Sequence, residues 1–198
     1  MNRGRMEAFS DGVIAILITI MVFDIKPPAG ADWDALISLV PILLTYLMSF
    51  LYLGTYWSNH HHMLQMTERV NGAILWANLH LLFWLSLLPF TTHWIRSSEF
   101  SSLPTAVYGV VLLFSALSYF ILQHTIIRFQ GQGSRLAAAV GTDFKGKLSL
   151  NAFLAGVGLA FLSTPLSLII YASVALLWLV PDRRIESRLV IQDDAGKP

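Results

Sequence analysis

The chain has 198 residues, of which 55% are hydrophobic, 13% are charged and none is cysteine. A soluble domain carries roughly 25% charged residues, so this much apolar surface does not fit inside one water-soluble globule. Low charge with 12% aromatics excludes a disordered chain. The missing cysteines exclude a disulfide-stapled fold, and a net charge of +1 leaves no basic footprint for nucleic acid. The composition is that of an all-α, polytopic membrane protein.

Crossing ~30 Å of hydrocarbon takes about 20 apolar residues as helix. Such runs occupy 6–25, 34–57, 72–92 and 104–127. The first has no small-residue cleavage site and carries Arg5, Glu7 and Asp11 in its opening turns, so it reads as a retained helix rather than a signal peptide. Segment 130–146, with its glycines and basic residues, reads as the long cytoplasmic loop. The last apolar stretch, 148–181, is too long for one span. Ser163-Thr164-Pro165 supplies a cap and a first-turn proline near its middle, so it divides into 148–162 and 165–181.

The expectation is six transmembrane helices in one membrane domain, 1–183, followed by a polar cytoplasmic tail, 184–198. All of the 13 Lys and Arg residues except Lys26 and Arg96 then fall on one side. That asymmetry places both termini in the cytoplasm. Five spans would carry the C-terminal arginines outside. Trp33, Trp57, Trp94 and Trp178 lie near span ends, as interfacial anchors do.

The first helix carries the functional signal. An ionisable side chain at membrane depth is a functional candidate by default, and Asp11 is the clearest one. It reads either as an interfacial carboxylate gripping a neighbouring helix or as a proton relay or cation ligand. At ~100° per residue, Arg5, Phe9, Gly12, Thr19, Ile20 and Phe23 lie within about 60° of Ile16. Ser10 and Asp11 fall on the back of the helix. By periodicity alone the apolar stripe is lipid-facing or packed.

Arg5-Met-Glu-Ala-Phe9-Ser10-Asp11 fits the pattern R-x-x-x-F-S-D at the start of a first transmembrane helix. The pattern resembles the hallmark of the transmembrane protein 175 family, in particular its short prokaryotic members. A Trp57-Ser-Asn59-His60-His61 cluster ending the second helix and Asn78 in the third extend the resemblance along the chain. What the resemblance implies is a potassium-permeable cation leak channel of the prokaryotic plasma membrane. It implies a homotetramer with four first helices around a central pore and no T-V-G-Y-G filter, and no such segment occurs here. It places the main apolar constriction at Ile16, a potassium-preferring position at Thr19, and further narrow layers at Ile20 and Phe23. Ala15 stands where some relatives carry a hydroxyl. The partners implied are a second copy of the chain, the lipid bilayer and monovalent cations. The permeant species is K+, and no cofactor is expected.

Arg5, Ser10 and Asp11 are expected to bond across to other helices, with Trp57, His60, His61 and Asn78 as candidate partners and Asn59 and Phe9 in the same network. Consecutive His60, His61 and His62 point about 100° apart, so they do not converge on a metal ion. His80 and His124 are expected as hydrogen-bonded core residues, and Gly156 and Gly158 as sites of close helix packing. No nucleophile elbow, P-loop or paired carboxylates at membrane depth suggest an enzyme. The competing expectations are a proton-coupled or proton-conducting transporter that titrates Asp11, and a regulatory subunit without a pore.

Overall fold

The computed structural model describes residues 2–141 and 143–179. The expected tail at 184–198, and residues 180–183 of the expected membrane domain, lie outside the described residues. Among those described there is only helix: α1 Arg3–Phe23, α2 Trp33–Ser38, α3 Val40–Gln65, α4 Gly72–Ser86, α5 Leu88–Ser97, α6 Ser102–Gln130, α7 Arg135–Val140, α8 Phe144–Leu159 and α9 Thr164–Leu179.

Capping chemistry fixes most of the starts. Asn2 accepts the Gly4 N–H before α1, Asp32 the Ala35 N–H before α2, Asn71 the Ile74 N–H before α4, and Asp143 the Gly146 N–H before α8. Two expected spans are interrupted by proline. The run expected at 34–57 splits at Leu39, with Pro41 in the first turn of α3, which then continues to Gln65. The run expected at 72–92 splits at Leu87, with Pro89 in the first turn of α5, and the helical path extends to Ser97. A proline removes a backbone donor and clashes with the carbonyl four residues back, so each helix restarts just before it.

Among the described residues four helical stretches are long and apolar enough to cross a membrane: Arg3–Phe23, Val40–Gln65, Gly72–Ser97 (α4 with α5) and Ser102–Gln130. The remaining apolar stretch breaks around Ser163 into α8 and α9, each of 16 residues. The expected loop at 130–146 contains α7, capped by Ser134 and seated by Leu136 and Ala139.

α6 is the axis of the packing, touching α4, α5, α8 and α9. Buried hydroxyls tie the layers together. Ser49 of α3 bonds Thr92 of α5 at 2.7 Å and Tyr108 of α6 at 3.0 Å, and the Tyr52 hydroxyl donates to the Tyr171 carbonyl of α9. The Tyr171 ring sits directly against Gly109 of α6 and Gly156 of α8, where no Cβ fits. Gly158, expected in the same role, faces open space instead, because two residues turn it ~200° away from Gly156. α1 lies at the edge of this assembly, packed mainly on α3, α4 and α5.

Candidate functional site

α1 has two faces. Met6, Ser10, Ile14, Leu17 and Met21 are buried, at the three- and four-residue spacing of one helical side. The opposite stripe, Arg5, Phe9, Gly12, Ile16, Thr19, Ile20 and Phe23, is exposed along its whole length, with Ile16 at 57% and Phe23 at 84% of full exposure. Thr19 Oγ1 donates to the Ile16 carbonyl at 3.0 Å. Its proton is therefore committed to the backbone, and its lone pairs remain available to a cation.

The N-terminal half of α1 is bonded to α3 by a three-rung antiparallel ladder. Arg3 Nη1 donates to the carbonyls of Gln65 and Thr67 at 3.3 and 3.2 Å. Glu7 Oε1 pairs with His61 Nδ1 at 2.9 Å. Trp57 Nε1 donates to Asp11 Oδ1 at 3.0 Å. The rungs step by four residues on each helix, one turn at a time, so they share one face of α1 and one face of α3. Trp57 stacks on His61, and Gln65 Nε2 meets His61 Nε2 at 2.8 Å, which joins successive rungs along α3.

Beside the ladder runs a buried chain from α1 through α4 to α3. Ser10 Oγ donates to the Met6 carbonyl at 2.9 Å and accepts from Asn78 Nδ2 at 2.9 Å. Asn78 Oδ1 meets His60 Nε2 at 2.7 Å. With the amide nitrogen given to Ser10, the amide oxygen must accept, so His60 carries its proton on Nε2. His60 Nδ1 is then a buried acceptor without a partner among the described residues. A buried amide that satisfies two other helices costs far more to remove than an exposed rung.

Three expected members of this network stand elsewhere. Arg5 makes no side-chain bond to another helix among the described residues. It lies on the exposed stripe, and Arg3, half a turn earlier, reaches α3 in its place. Phe9 is on the same exposed stripe. Asn59 joins α3 to α6 rather than to α1: its carbonyl accepts the Tyr119 hydroxyl at 3.1 Å, and its amide bonds the Thr55 carbonyl. Arg3, Glu7 and Gln65 were not singled out from sequence. The signal for them was the matched spacing of polar residues at 3, 7, 11 and 57, 61, 65. The histidines diverge as their angular spacing requires, His60 toward Asn78 and His61 toward Glu7. His80 accepts from Trp84 Nε1 and contacts Ser118, and His124 bonds the Phe120 carbonyl of its own helix.

At its other end α1 is held by α5. Arg96 Nη2 donates to the Asp24 carbonyl at 2.6 Å and to His93 Nδ1 at 3.1 Å. The Asp24 carboxylate lies 3.6 Å from His93 Nδ1. Between these two attachments the exposed stripe presents Gly12, Ile16, Thr19 and Ile20.

The family described as endosomal/lysosomal potassium channel TMEM175 matches residues 5–89, which hold the R-x-x-x-F-S-D segment, Trp57, His60, His61 and Asn78. A potassium channel of Chryseobacterium sp. is 49% identical over 189 residues, 96% of this chain and 98% of that protein. A potassium channel of Streptomyces collinus is 35% identical over 185 residues, 87% of this chain and 89% of its own length. The crystal structure of a lysosomal potassium-selective channel TMEM175 homolog from Chamaesiphon minutus matches with a TM-score of 0.77 at 27% identity, over 90% of this chain and 96% of that one.

Proposed function

The chain belongs to the TMEM175 family, as a prokaryotic member, and on that premise we propose that it is a potassium-permeable cation leak channel whose pore is lined by α1 from four copies. The observation that carries this reading is the division of α1. Its polar side chains Arg3, Glu7, Ser10 and Asp11 are spent on α3 and α4, while the stripe from Arg5 to Phe23 is left exposed. Four such stripes turned toward one axis would enclose a narrow apolar path.

In this reading Ile16 is the main constriction, and Ile20 and Phe23 narrow the path further toward the outside. A ring of isoleucines closes a cation path by bulk and by dewetting. The Thr19 ring, one turn beyond, offers oxygen lone pairs to a partly dehydrated ion. Conduction requires the outer half of α1 to rotate or splay so that the Ile16 side chains leave the axis. Ser10, Asp11, Trp57, His60, His61 and Asn78 hold the inner half in place, as interhelical polar groups do in membranes. The α8–α9 hairpin completes six spans, with both termini and the basic loops cytoplasmic by the charge asymmetry. The channel kind of the family and its relatives fits a protein that is not an enzyme. A carrier that cycles a proton on Asp11 has less support, because that carboxylate is bonded to Trp57 on the side of α1 away from the stripe.

Potassium flux into liposomes holding the purified full chain tests the proposal. Wild type should pass potassium, and Ile16→Asn should pass more, because a polar side chain wets the constriction. Absence of flux from both, in protein shown to be folded and oligomeric, would overturn the channel reading.

A further inference from the structure

The attachment of α1 at its outer end joins three groups that the pore reading does not use. Asp24 is the C-cap of α1, directly after Phe23, and its carboxylate is 38% exposed. Arg96 and His93, on one face of α5, both reach it: the guanidinium binds its carbonyl, and the imidazole faces its carboxylate at 3.6 Å. His93 is itself 49% exposed, so protons from solution reach it.

The electrostatic surroundings of His93 are short to enumerate. α3 and α4, two of the helices packed on α5, contain no Asp, Glu, Lys or Arg, and their histidines are His60, His61 and His62 in the last turns of α3 and His80 in α4. The titratable groups of α6 nearest this end are tyrosines, with Tyr108 bonded to Ser49, and its His124 and Arg128 lie at the opposite end. The ionisable groups of α1 itself, Arg3, Arg5, Glu7 and Asp11, also lie at that far end. Lys26 follows Asp24 by two residues, Asp32 and Asp34 lie in the segment after α1, and Glu99 follows α5. His93 itself contacts two charged groups, Asp24 and Arg96.

The two neighbours also demand different protonation states. Neutral His93 accepts the Arg96 N–H on Nδ1 at 3.1 Å. Protonated His93 has a hydrogen on Nδ1, loses that bond and offers the hydrogen to Asp24 Oδ1. Imidazole is the side chain that makes this change between pH 5 and 8.

We propose that His93 and Arg96 are positioning residues for the outer end of the pore helix, and that protonation of His93 couples it to Asp24 and offsets the Asp24 charge at the outer mouth. The inference rests on the channel reading above and on the orientation given there. Above neutral pH each subunit presents a free Asp24 carboxylate one residue beyond the narrow stripe and draws cations to the entrance. At acid pH outside, each carboxylate is matched by an imidazolium and the local cation concentration falls. Exposed charges act over about one Debye length, ~10 Å at 0.1 M salt, so the effect belongs to low ionic strength.

Potassium current through excised patches carrying the full chain tests this, with pH changed on one face at a time. In low salt, lowering the outer pH from about 7.5 to 5.5 should reduce wild-type current about twofold, and about 1 M salt should abolish the difference. The same change on the face of the termini should do nothing through this group. His93→Gln should keep the high-pH current across the range. Asp24→Asn should start low and stay flat, and Asp24→Glu should keep the wild-type profile. A pH profile that survives His93→Gln, that acts equally from both faces, or that is missing in a conducting wild type would overturn the inference and leave the channel reading standing. No current from folded, assembled wild type at either pH would reject the channel reading, and this inference with it.

Discussion

The Asp11 carboxylate accepts the indole N–H of Trp57 at 3.0 Å, one turn from the Glu7–His61 pair at 2.9 Å on the same two helices. The bond is partly exposed, so it fixes position more than it stabilises. Trp57→Phe deletes the N–H and keeps a ring to stack on His61. The expected cost is about 1 kcal/mol or less, a fall in Tm of a few degrees at most in detergent. A drop several times larger would mean that Asp11 is held by the low-dielectric interior.

Asn78 is the opposite case. It is 1% exposed and serves Ser10 and His60 at once. Asn78→Leu leaves the His60 donor and one Ser10 lone pair without partners, at a cost of about 3 kcal/mol. Ser10→Ala should cost less, about 2 kcal/mol, because it removes a donor that returns to its own helix and leaves only one buried Asn78 N–H without an acceptor. Thermal unfolding of the two variants side by side checks the ranking, and equal losses would contradict it.

Glu7 and His61 form the one rung made of two titratable groups. A double-mutant cycle with Glu7→Gln and His61→Gln should give a coupling below about 1 kcal/mol near neutral pH, as partly exposed ion pairs do. Repeating the cycle at about 1 M salt should lower the coupling, as it does for exposed charge pairs. A coupling indifferent to salt would mean that the contact is a neutral hydrogen bond.

Thr19→Val keeps the shape of the side chain and removes its oxygen. In the proposed pore the ratio of potassium to sodium permeability should fall a few-fold toward unity while conduction persists, since Ile16 is untouched. Bi-ionic reversal potentials measure this directly. An unchanged ratio would remove Thr19 from the selectivity of the pore.

Gly156 and Gly158 separate packing from propensity. A Cβ at Gly156 collides with the Tyr171 ring, whereas a Cβ at Gly158 meets nothing. Gly156→Ala should destabilise by about 1–3 kcal/mol through overpacking. Gly158→Ala should stabilise by up to about 1 kcal/mol through helix propensity. Gly109→Ala, which meets the same tyrosine from α6, should behave like Gly156→Ala.

The stripe on α1 was legible because a ~100° step sorts Ile16, Thr19, Ile20 and Phe23 without any knowledge of neighbours. The break near Ser163 was legible because proline and two hydroxyl residues coincide there. The breaks at Leu39 and Leu87 were not, because Pro41 and Pro89 sit inside apolar runs whose hydropathy continues across them. Trp57, His60, His61 and Asn78 could be named as candidate partners, but their pairing depends on the register of two helices, which no single helix encodes. Asn59 shows the limit: one residue before His60, its side chain is turned ~100° away and bonds the Thr55 carbonyl of its own helix, and its main-chain carbonyl is what meets α6.

The spacing of the rungs restricts how α1 can travel. A slide of one turn along α3, about 5.4 Å, is the smallest ratchet step that keeps the helix faces matched. In either direction Ser10 would leave Asn78, and Met6 or Ile14 would arrive opposite the buried amide. One direction also moves Asp11 from Trp57 toward the buried Leu53. A piston stroke therefore strands a polar group in hydrocarbon whichever way it runs. What remains to α1 is to turn or bow between its two attachments, with the displacement greatest near Ile16 and Thr19, midway between the ladder and the Arg96–Asp24 bond.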